Sequence, residues 1–335
     1  MRTIDVDLPD ALVSHRSGFE RAYRQNRIVY QQVLGYFDAD ICRILGRQQV
    51  TVVDVGANTG LFSMEVLRRT GGRARLYCFE PIPATYRRLE ANIHPLGLAD
   101  THLFNCGLGQ DDVSATFMYN RLVDAMSSRY DMWGAGDDQL VLAMIYDKRI
   151  ADRFHVRLPA FLKYLPRWLN GVVIASLKYL FLRTIGKSVP VQCRMTTLSR
   201  VIAECGIDRI DLLKVDVEKA ELDVLLGISD ADWAKIGAVV LEVHDLADRQ
   251  AVIERLLARH GFDRIVVDRH AAGQTVFSMS AFKDGVVRPG PASSARGADH
   301  HGDSSGAHRP VVAGNPDLLR RALPAFRHRP PAIPA

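Results

Sequence analysis

Two short acidic stretches in the second half of the chain carry side chains suited to proton transfer. Asp216 and Glu218 follow one apolar run, and Glu242 and His244 end the next apolar run. Residues two apart on a strand point the same way, so each pair presents two polar groups on one side. Adjacent parallel strands would bring the two pairs together at one edge of a sheet. Four polar groups at such an edge are costly to bury without a purpose, which makes them candidate catalytic residues.

Three kinds of role fit these four groups. A neutral His244 is predicted to act as a general base that takes a proton from a substrate hydroxyl. A nearby carboxylate would orient the imidazole or take the proton itself. In the second alternative the four groups together hold a divalent cation that lowers the pKa of the hydroxyl. In the third, some of them only cap helices or pair with Lys214 and Lys219.

The stretch from Thr51 to Gly60 predicts a buried parallel strand, a tight turn and the start of a helix. Its acid and turn residues are Asp54, Gly56, Asn58 and Gly60. Glycine allows a sharp turn and a close approach of ligand to main chain, and the free N–H groups of the helix point at the same spot. The spacing differs from the G-x-G-x-x-G dinucleotide fingerprint, and no Lys-Ser or Lys-Thr pair follows as in a P-loop. The stretch therefore predicts a turn that binds a nucleotide-like ligand but belongs to neither of these two motifs.

A second predicted strand, residues 74–79, ends in Glu80 and Pro81. An acid at this position can bind both hydroxyls of a ribose, and the proline stops the strand. Strand, D-x-G-x-x-x-G, helix, strand and acid is a pattern typical of S-adenosylmethionine-dependent methyltransferases. The alternative is a βαβ unit whose glycines serve only the turn. After a third strand, Asn105 is predicted to be a hydrogen-bond partner of the adenine, although the same residues also suit a plain turn.

Strand and helix patterns alternate along the chain, and the last two strands form an antiparallel pair. We therefore predict an α/β fold: a Rossmann-like class I methyltransferase fold with a mostly parallel seven-stranded sheet, helices on both faces and a helical insertion. The predicted regions are an N-terminal helical cap (1–49), a methyltransferase domain (50–284) with the insertion at about 120–190, and a disordered tail (285–335). The tail is predicted from composition, because eight of the fifteen prolines fall between Pro289 and Pro334.

The insertion combines positive charge with large apolar side chains. Between Lys148 and Lys187 there are nine Lys or Arg residues and one acid, Asp152. Basic amphipathic helices of this kind lie on anionic membrane surfaces or hold a partner or a hydrophobic substrate. The alternative is a helical subdomain packed on the sheet with a solvated basic face. We predict peripheral membrane contact through 148–187 as one role of this segment.

The composition is that of an ordinary globular protein. Of the 335 residues, 47% are hydrophobic and 24% charged, and the net charge is +5. The five cysteines form no CxxC pair, which predicts free thiols in a reducing compartment. The N-terminus carries three aspartates and no apolar h-region, and no run approaches twenty apolar residues. These features predict a cytoplasmic protein without a signal peptide or a transmembrane helix.

Four motifs together resemble those of the FkbM-family methyltransferases: VVDVGANTGLFS, CFEPIPATYRRLEAN, IDLLKVDVEKAELDVLLGI and VVLEVHD. The resemblance covers about residues 50–282. It implies an S-adenosylmethionine-dependent O-methyltransferase, many relatives of which tailor polyketides, nonribosomal peptides or sugars. It also implies a cofactor site at Asp54, Gly56, Asn58, Gly60 and Glu80, with the acidic motif Asp216 and Glu218 facing the substrate.

Lys219 departs from the commonest pattern, which has glycine there. The D-V-E-K form followed by E-V-H-D resembles a subgroup associated with peptide and polyketide assembly lines.

The predicted reaction is in-line attack of a substrate hydroxyl oxygen on the cofactor methyl group, with proximity as the main contribution. The predicted partner is a hydroxylated small molecule, hydrophobic or tethered to a carrier. N-methylation and a cofactor-binding protein without catalysis are the alternatives. A nucleic-acid substrate is disfavoured, because the chain has no N-P-P-Y-type motif and its basic residues are mixed with an apolar face.

Overall fold

The computed structural model describes residues 8–98, 100–120, 176, 188–245, 248–269 and 276–286. The predicted helical insertion and the predicted tail lie almost entirely outside these residues, as does the basic segment 148–187 except for one position. In chain order the described strands are β1 (Thr51–Val55), β2 (Arg75–Phe79), β3 (Thr101–Phe104), β4 (Gly107–Leu108), β5 (Ser114–Asn120), β6 (Ser188–Thr196), β7 (Leu212–Val215), β8 (Ala238–His244), β9 (Phe262–Asp268) and β10 (Val276–Lys283).

The described helices are labelled in the same way: α1 (Arg16–Gln25), α2 (Arg27–Leu34), α3 (Ala39–Leu45), α4 (Leu61–Thr70), α5 (Pro83–Ile93), α6 (Leu198–Cys205), α7 (Glu221–Leu226), α8 (Asp230–Trp233) and α9 (Arg249–Arg259). Short 3-10 helices occupy Asp10–His15 and His94–Leu96. No helix in the described ranges is long and apolar enough to cross a membrane.

Seven strands form the main sheet, in the order β3-β2-β1-β7-β8-β10-β9. Strands β3, β2, β1, β7 and β8 pair in parallel, whereas β10 runs antiparallel to both β8 and β9. The chain crosses from β1 to β2 through α4 and from β2 to β3 through α5, as parallel pairing requires. The predicted mostly parallel, Rossmann-like seven-stranded sheet is confirmed.

The strands bury both of their faces, which explains their nearly continuous apolar sequence. In β1, Val52 belongs to a core beneath α1 to α5, whereas Val53 and Val55 belong to a second core beneath α6 to α9. This alternation follows from the two-residue period of a strand. Helices therefore cover both faces of the sheet, as predicted.

The N-terminal helices share the first core and are tied to α4 by a buried carboxylate. Glu65 is fully buried and accepts hydrogen bonds from the hydroxyls of Tyr23 (3.4 Å) and Tyr30 (3.3 Å). The guanidinium groups of Arg68 and Arg69 also donate to it, at 2.6–2.8 Å. Packing and these bonds fix the path of the chain before β1. The predicted boundary at residue 49 stays a prediction.

A second, three-stranded sheet has the order β4-β6-β5. Strand β6 was not predicted from the sequence. Pro190 sits within β6 opposite Met118, and a proline normally argues against a strand because it lacks the N–H of the ladder. Among the described strands, β4 pairs with β6 only at Met195 and Thr196, so β5 is the described neighbour of β6 at Pro190, as expected of a proline near the edge of a sheet.

Candidate functional site

The turn after β1 is shaped by close contacts at its two glycines. Gly56 has φ +74°, and a Cβ at this position would lie 1.9 Å from the backbone oxygen of Asp216. Gly60 has φ +86°, and its Cβ would lie 2.7 Å from Leu89 Cδ1. A side chain at either position meets both a disfavoured backbone conformation and a neighbour. At Gly56 that neighbour is the acidic stretch itself, so the turn and the acids after β7 are in direct contact.

Asp54 lies beneath this turn and not in its mouth. Its carboxylate is fully buried, accepts a hydrogen bond from Ser63 Oγ at 2.7 Å and lies 3.1 Å from Lys214 Nζ. Lys214 also donates to the backbone oxygen of Gly56 at 2.9 Å. Asp54 therefore supports the turn through Lys214. Its predicted place in the cofactor site stays a prediction.

Glu80 connects the turn after β1 with the turn after β2. Its Oε2 accepts the backbone N–H of Asn58 at 3.1 Å, and its Oε1 accepts that of Ile82 at 2.9 Å. Asn58 itself has φ +51°, which asparagine tolerates better than most residues. Glu80 thereby holds the two turns together, and its predicted place in the cofactor site stays a prediction.

Asn105 holds the turn after β2. Its side-chain amide nitrogen donates to the backbone oxygens of Glu80 (2.9 Å) and Pro81 (3.1 Å). These contacts agree with the turn role that the sequence analysis gave as the alternative. The predicted contact between Asn105 and the adenine stays a prediction.

The ends of β7 and β8 bring three carboxylates together. Oxygen atoms of Asp216, Glu218 and Glu242 all lie within 4.8 Å of one another, and all three side chains are partly exposed. We call these three residues the acid cluster. Their convergence follows from parallel pairing of β7 and β8, because both strands end at the same edge of the sheet.

His244, the fourth predicted group, is held between two carboxylates. Its Nε2 lies 3.2 Å from Glu218 Oε2, and its Nδ1 lies 2.8 Å from Glu221 Oε1. Burial lowers the pKa of His244, but the hydrogen bonds to Glu218 and Glu221 outweigh that effect and raise the pKa to about 10. The side chain is therefore an imidazolium near neutral pH. Both ring nitrogens face carboxylates, which favours the protonated ring over the neutral form. The predicted catalytic role of His244 stays a prediction.

A buried network fixes the backbone that carries Glu218. Glu218 and Lys219 both have positive φ, at 48° and 77°. The Lys219 N–H donates to Glu221 Oε1 at 2.8 Å, and Arg249 donates to the Lys219 oxygen at 2.5 Å and to Glu221 Oε2 at 3.1 Å. Such backbone conformations persist only where surrounding contacts determine them. Glu221 and Arg249 were not singled out from the sequence, because their burial and their contacts arise only in the folded chain.

Two further groups contact Asp216. Lys214 Nζ lies 3.6 Å from Asp216 Oδ2, and the hydroxyl of Tyr36 donates to the same oxygen at 3.1 Å. Burial lowers the pKa of Lys214, but the charges of Asp54 and Asp216 raise it above its ordinary value overall, so the ammonium persists. The pairing of Lys214 with acids was an alternative in the sequence analysis. Tyr36 was not singled out there.

The region of similarity to known proteins contains the residues of this site. The chain matches the Methyltransferase FkbM domain over residues 54–264, a range that includes both turns, the acid cluster and His244. The chain belongs to the FkbM methyltransferase family. The 31-O-demethyl-FK506 methyltransferase FkbM of Streptomyces tacrolimicus is 32% identical over 236 residues, which cover 69% of this chain and 79% of that protein.

Two other similarities extend the comparison. The AMB antimetabolite synthetase AmbE of Pseudomonas aeruginosa is 33% identical over 339 residues, which cover 96% of this chain. This chain spans only 14% of the length of that synthetase. Among solved structures, methyltransferase FkbM from Methylobacillus flagellatus aligns with 70% of this chain and 44% of its own, at 13% identity and a TM-score of 0.41.

The FkbM family assignment confirms the predicted enzyme class and the predicted cofactor, S-adenosylmethionine. The residues present fit that cofactor. Gly56 lets the main chain turn sharply against Asp216, and Glu80 is an acid at the end of β2, where a ribose is bound in related sheets. When bound, the cofactor supplies an electrophilic methyl group on a positively charged sulfur. The protein supplies the binding turn, the acid cluster and the cations that hold its members.

Proposed function

We propose that this FkbM-family methyltransferase methylates a hydroxyl group of a small-molecule secondary metabolite. The observation that carries the proposal is the acid cluster, three carboxylates whose oxygens lie within 4.8 Å beside the glycine turn. A hydroxyl becomes a strong nucleophile only as it loses its proton, so its methylation benefits from a nearby base. Uptake of one proton by the acid cluster also relieves repulsion between like charges.

The same cluster disfavours an amine acceptor. An amine must be neutral to attack a methyl group, and three carboxylates around it would stabilise the ammonium form instead. An amine bound there would therefore carry a proton on the nitrogen that has to react. N-methylation remains the competing function for the experiment to test.

Two cations set the positions of the acids. Lys214 lies 3.6 Å from Asp216, and His244 lies 3.2 Å from Glu218. These ion pairs hold the two carboxylates in fixed places, where they can accept hydrogen bonds from the acceptor hydroxyl and orient it. A member of the acid cluster then takes the hydroxyl proton as the oxygen–methyl bond forms.

The relatives support this choice of acceptor. One relative is named for the 31-O-demethyl form of FK506, a name that places the reaction on oxygen. Another is named as an antimetabolite synthetase, and its similarity reaches beyond the family-matched residues to 96% of this chain. We therefore extend the proposal to polyketide, peptide or sugar hydroxyls, including acceptors tethered to a carrier, and to a cytoplasmic location.

The test is a set of matched acceptor pairs that differ only in the reacting atom. Polyketide, peptide and sugar alcohols and the corresponding amines are each incubated with the full chain and methyl-labelled S-adenosylmethionine, and products are identified by mass spectrometry and NMR. We expect label on oxygen in at least one alcohol and on nitrogen in none of the amines. Methylation of amines with no methylation of their alcohol partners would overturn the proposal.

Variants connect the activity with the acid cluster. Glu242→Gln removes one charge and one proton acceptor, and we expect the turnover rate on the active alcohol to fall about 10²-fold or more, in the range of general-base catalysis. Glu204→Gln is the matched control, because Glu204 is an exposed acid on α6 that pairs with Arg200 at 2.6 Å. An unchanged rate in Glu242→Gln would contradict the assignment of this acid.

A further inference from the structure

The N-terminal segment carries a phenol into the acid cluster. Tyr36 follows α2 and is 5% exposed, and its hydroxyl donates to Asp216 Oδ2 at 3.1 Å, across 180 residues of sequence. Its ring packs edge-to-face on Phe62, at the start of α4, with a centroid distance of 5.9 Å. Tyr36 lies outside the residues that match the FkbM family, which begin at residue 54.

Every member of the acid cluster acts on this hydroxyl. Burial raises the pKa of Tyr36 well above its ordinary value, and the negative charges of Asp216, Glu242 and Glu218 raise it further. The phenol therefore keeps its proton throughout the working range of pH and is a permanent donor. Lys214 and Tyr36 both contact Oδ2 of Asp216, so neither of these two groups uses Oδ1.

We propose that Tyr36 is a positioning residue for methyl transfer, which holds the Asp216 carboxylate in a fixed orientation beside the cofactor turn. Asp216 lies directly against that turn, because its backbone oxygen is the atom against which Gly56 packs. Lys214 alone is a point charge on a flexible stem, whereas the phenol of a buried ring has a fixed direction. The N-terminal helices are thereby part of the active site and not only a cover over the sheet.

The proposal is tested with cofactors alone, so it does not depend on the proposed O-methylation. S-adenosylmethionine carries a positive sulfonium and S-adenosylhomocysteine does not, so the ratio of their dissociation constants reports the negative charge beside the turn. The ratio is measured by isothermal titration calorimetry at pH 7.5 with the full chain. At this pH Lys214 and His244 are charged and Tyr36 is neutral.

Tyr36→Phe removes the donor and keeps the ring. Without the phenol the Asp216 carboxylate loses the donor that fixes its direction, so its charge is held less closely beside the turn. We expect the preference for S-adenosylmethionine over S-adenosylhomocysteine to weaken about tenfold, the size of one charge-assisted hydrogen bond. In an Asp216→Asn background the same substitution is expected to leave the ratio unchanged.

Tyr30→Phe is the matched control. Tyr30 is also a buried tyrosine of the N-terminal helices, 9% exposed, whose hydroxyl donates to a carboxylate, Glu65, at 3.3 Å. It should lower stability in the same way as Tyr36→Phe and leave the ratio unchanged. A purely structural role for Tyr36 would make the two variants behave alike, and that outcome would overturn the proposal.

Two further results would also overturn it: an unchanged ratio in a folded Tyr36→Phe protein, or equal ratios in the wild type and Asp216→Asn. If Tyr36→Phe does not fold, 3-fluorotyrosine at position 36 replaces it. The fluorinated phenol is a stronger donor in nearly the same volume, so it should strengthen the preference for S-adenosylmethionine. A ratio that does not change with 3-fluorotyrosine would count against the proposal equally.

Discussion

Glu221→Gln should destabilise the protein more than almost any other single change near the site. Glu221 is fully buried and accepts from three donors: the Lys219 N–H at 2.8 Å, His244 Nδ1 at 2.8 Å and Arg249 at 3.1 Å. Glutamine keeps the shape but loses the charge, and one of its oxygens becomes an NH₂ donor that faces another donor. Two buried cations, His244 and Arg249, would then lose their shared counter-ion.

The magnitude follows from these contacts. Removing one partner of a buried ion pair costs about 3–5 kcal/mol, because the remaining charge is left uncompensated. The hydrogen bond from the Lys219 backbone N–H also supports the positive φ of Lys219. Its loss therefore adds to the decrease in the free energy of unfolding. We expect a loss of about 3–5 kcal/mol in the free energy of unfolding.

The assay is urea denaturation at pH 7.5, followed by circular dichroism, with midpoint and slope fitted separately. Glu204→Gln serves as the control, since Glu204 is 56% exposed and such pairs contribute about 0–1 kcal/mol. If the free energy of unfolding of Glu221→Gln lies within about 1 kcal/mol of that of Glu204→Gln, the network around Glu221 does not fix this backbone and the reasoning is refuted.

Three further predictions concern the same site. Gly56→Ala should abolish measurable S-adenosylmethionine binding in calorimetry, because its Cβ would lie 1.9 Å from the Asp216 oxygen at φ +74°; retained affinity would contradict the described turn. Lys219→Gly should raise the free energy of unfolding in urea denaturation by about 1 kcal/mol, because glycine adopts φ +77° without strain; a lower free energy of unfolding would show that the Lys219 side chain outweighs the strain. For His244 the folded pKa of about 10 exceeds the ordinary 6.5, so its stabilising contribution is complete below about pH 6.5 and is lost as pH rises toward 10. The stability difference between wild type and His244→Gln, measured by urea denaturation across this range, should therefore shrink with rising pH, and a difference that grows would contradict the imidazolium assignment.

Local sequence patterns were enough to predict the sheet and to predict that the residues of the acid cluster lie together at one edge of it. Runs of β-branched residues such as Val52 and Val53 are buried on both faces, and the edge where parallel strands end is fixed by topology. The positions of Asp216, Glu218 and Glu242 follow from that edge. Their roles and placement at one edge could therefore be proposed before any coordinates were available.

Properties that depend on distant contacts could not be predicted in this way. The charge of His244 depends on Glu221, which belongs to another element, and the contact between Tyr36 and Asp216 spans 180 residues. Asp54 matched the motif of a cofactor residue, but its exposure depends on Lys214 and Ser63, which only the packed structure brings to it. Strand β6 was missed because it contains Pro190, which argues against a strand. A sequence pattern does not show whether a strand lies at the edge of a sheet, where a proline is tolerated.

The pairing of β5 with β6 has a consequence for loop closure. Their antiparallel register runs from Ser114↔Arg194 to Asn120↔Ser188, so Asn120 and Ser188 lie directly opposite each other. The ladder itself therefore holds together the two ends of the chain segment between these residues. The entropic cost of closing a flexible loop rises by only about 0.6 kcal/mol when its length doubles. As far as loop closure is concerned, the β5–β6 ladder therefore sets only a weak limit on the number of residues that connect its two strands.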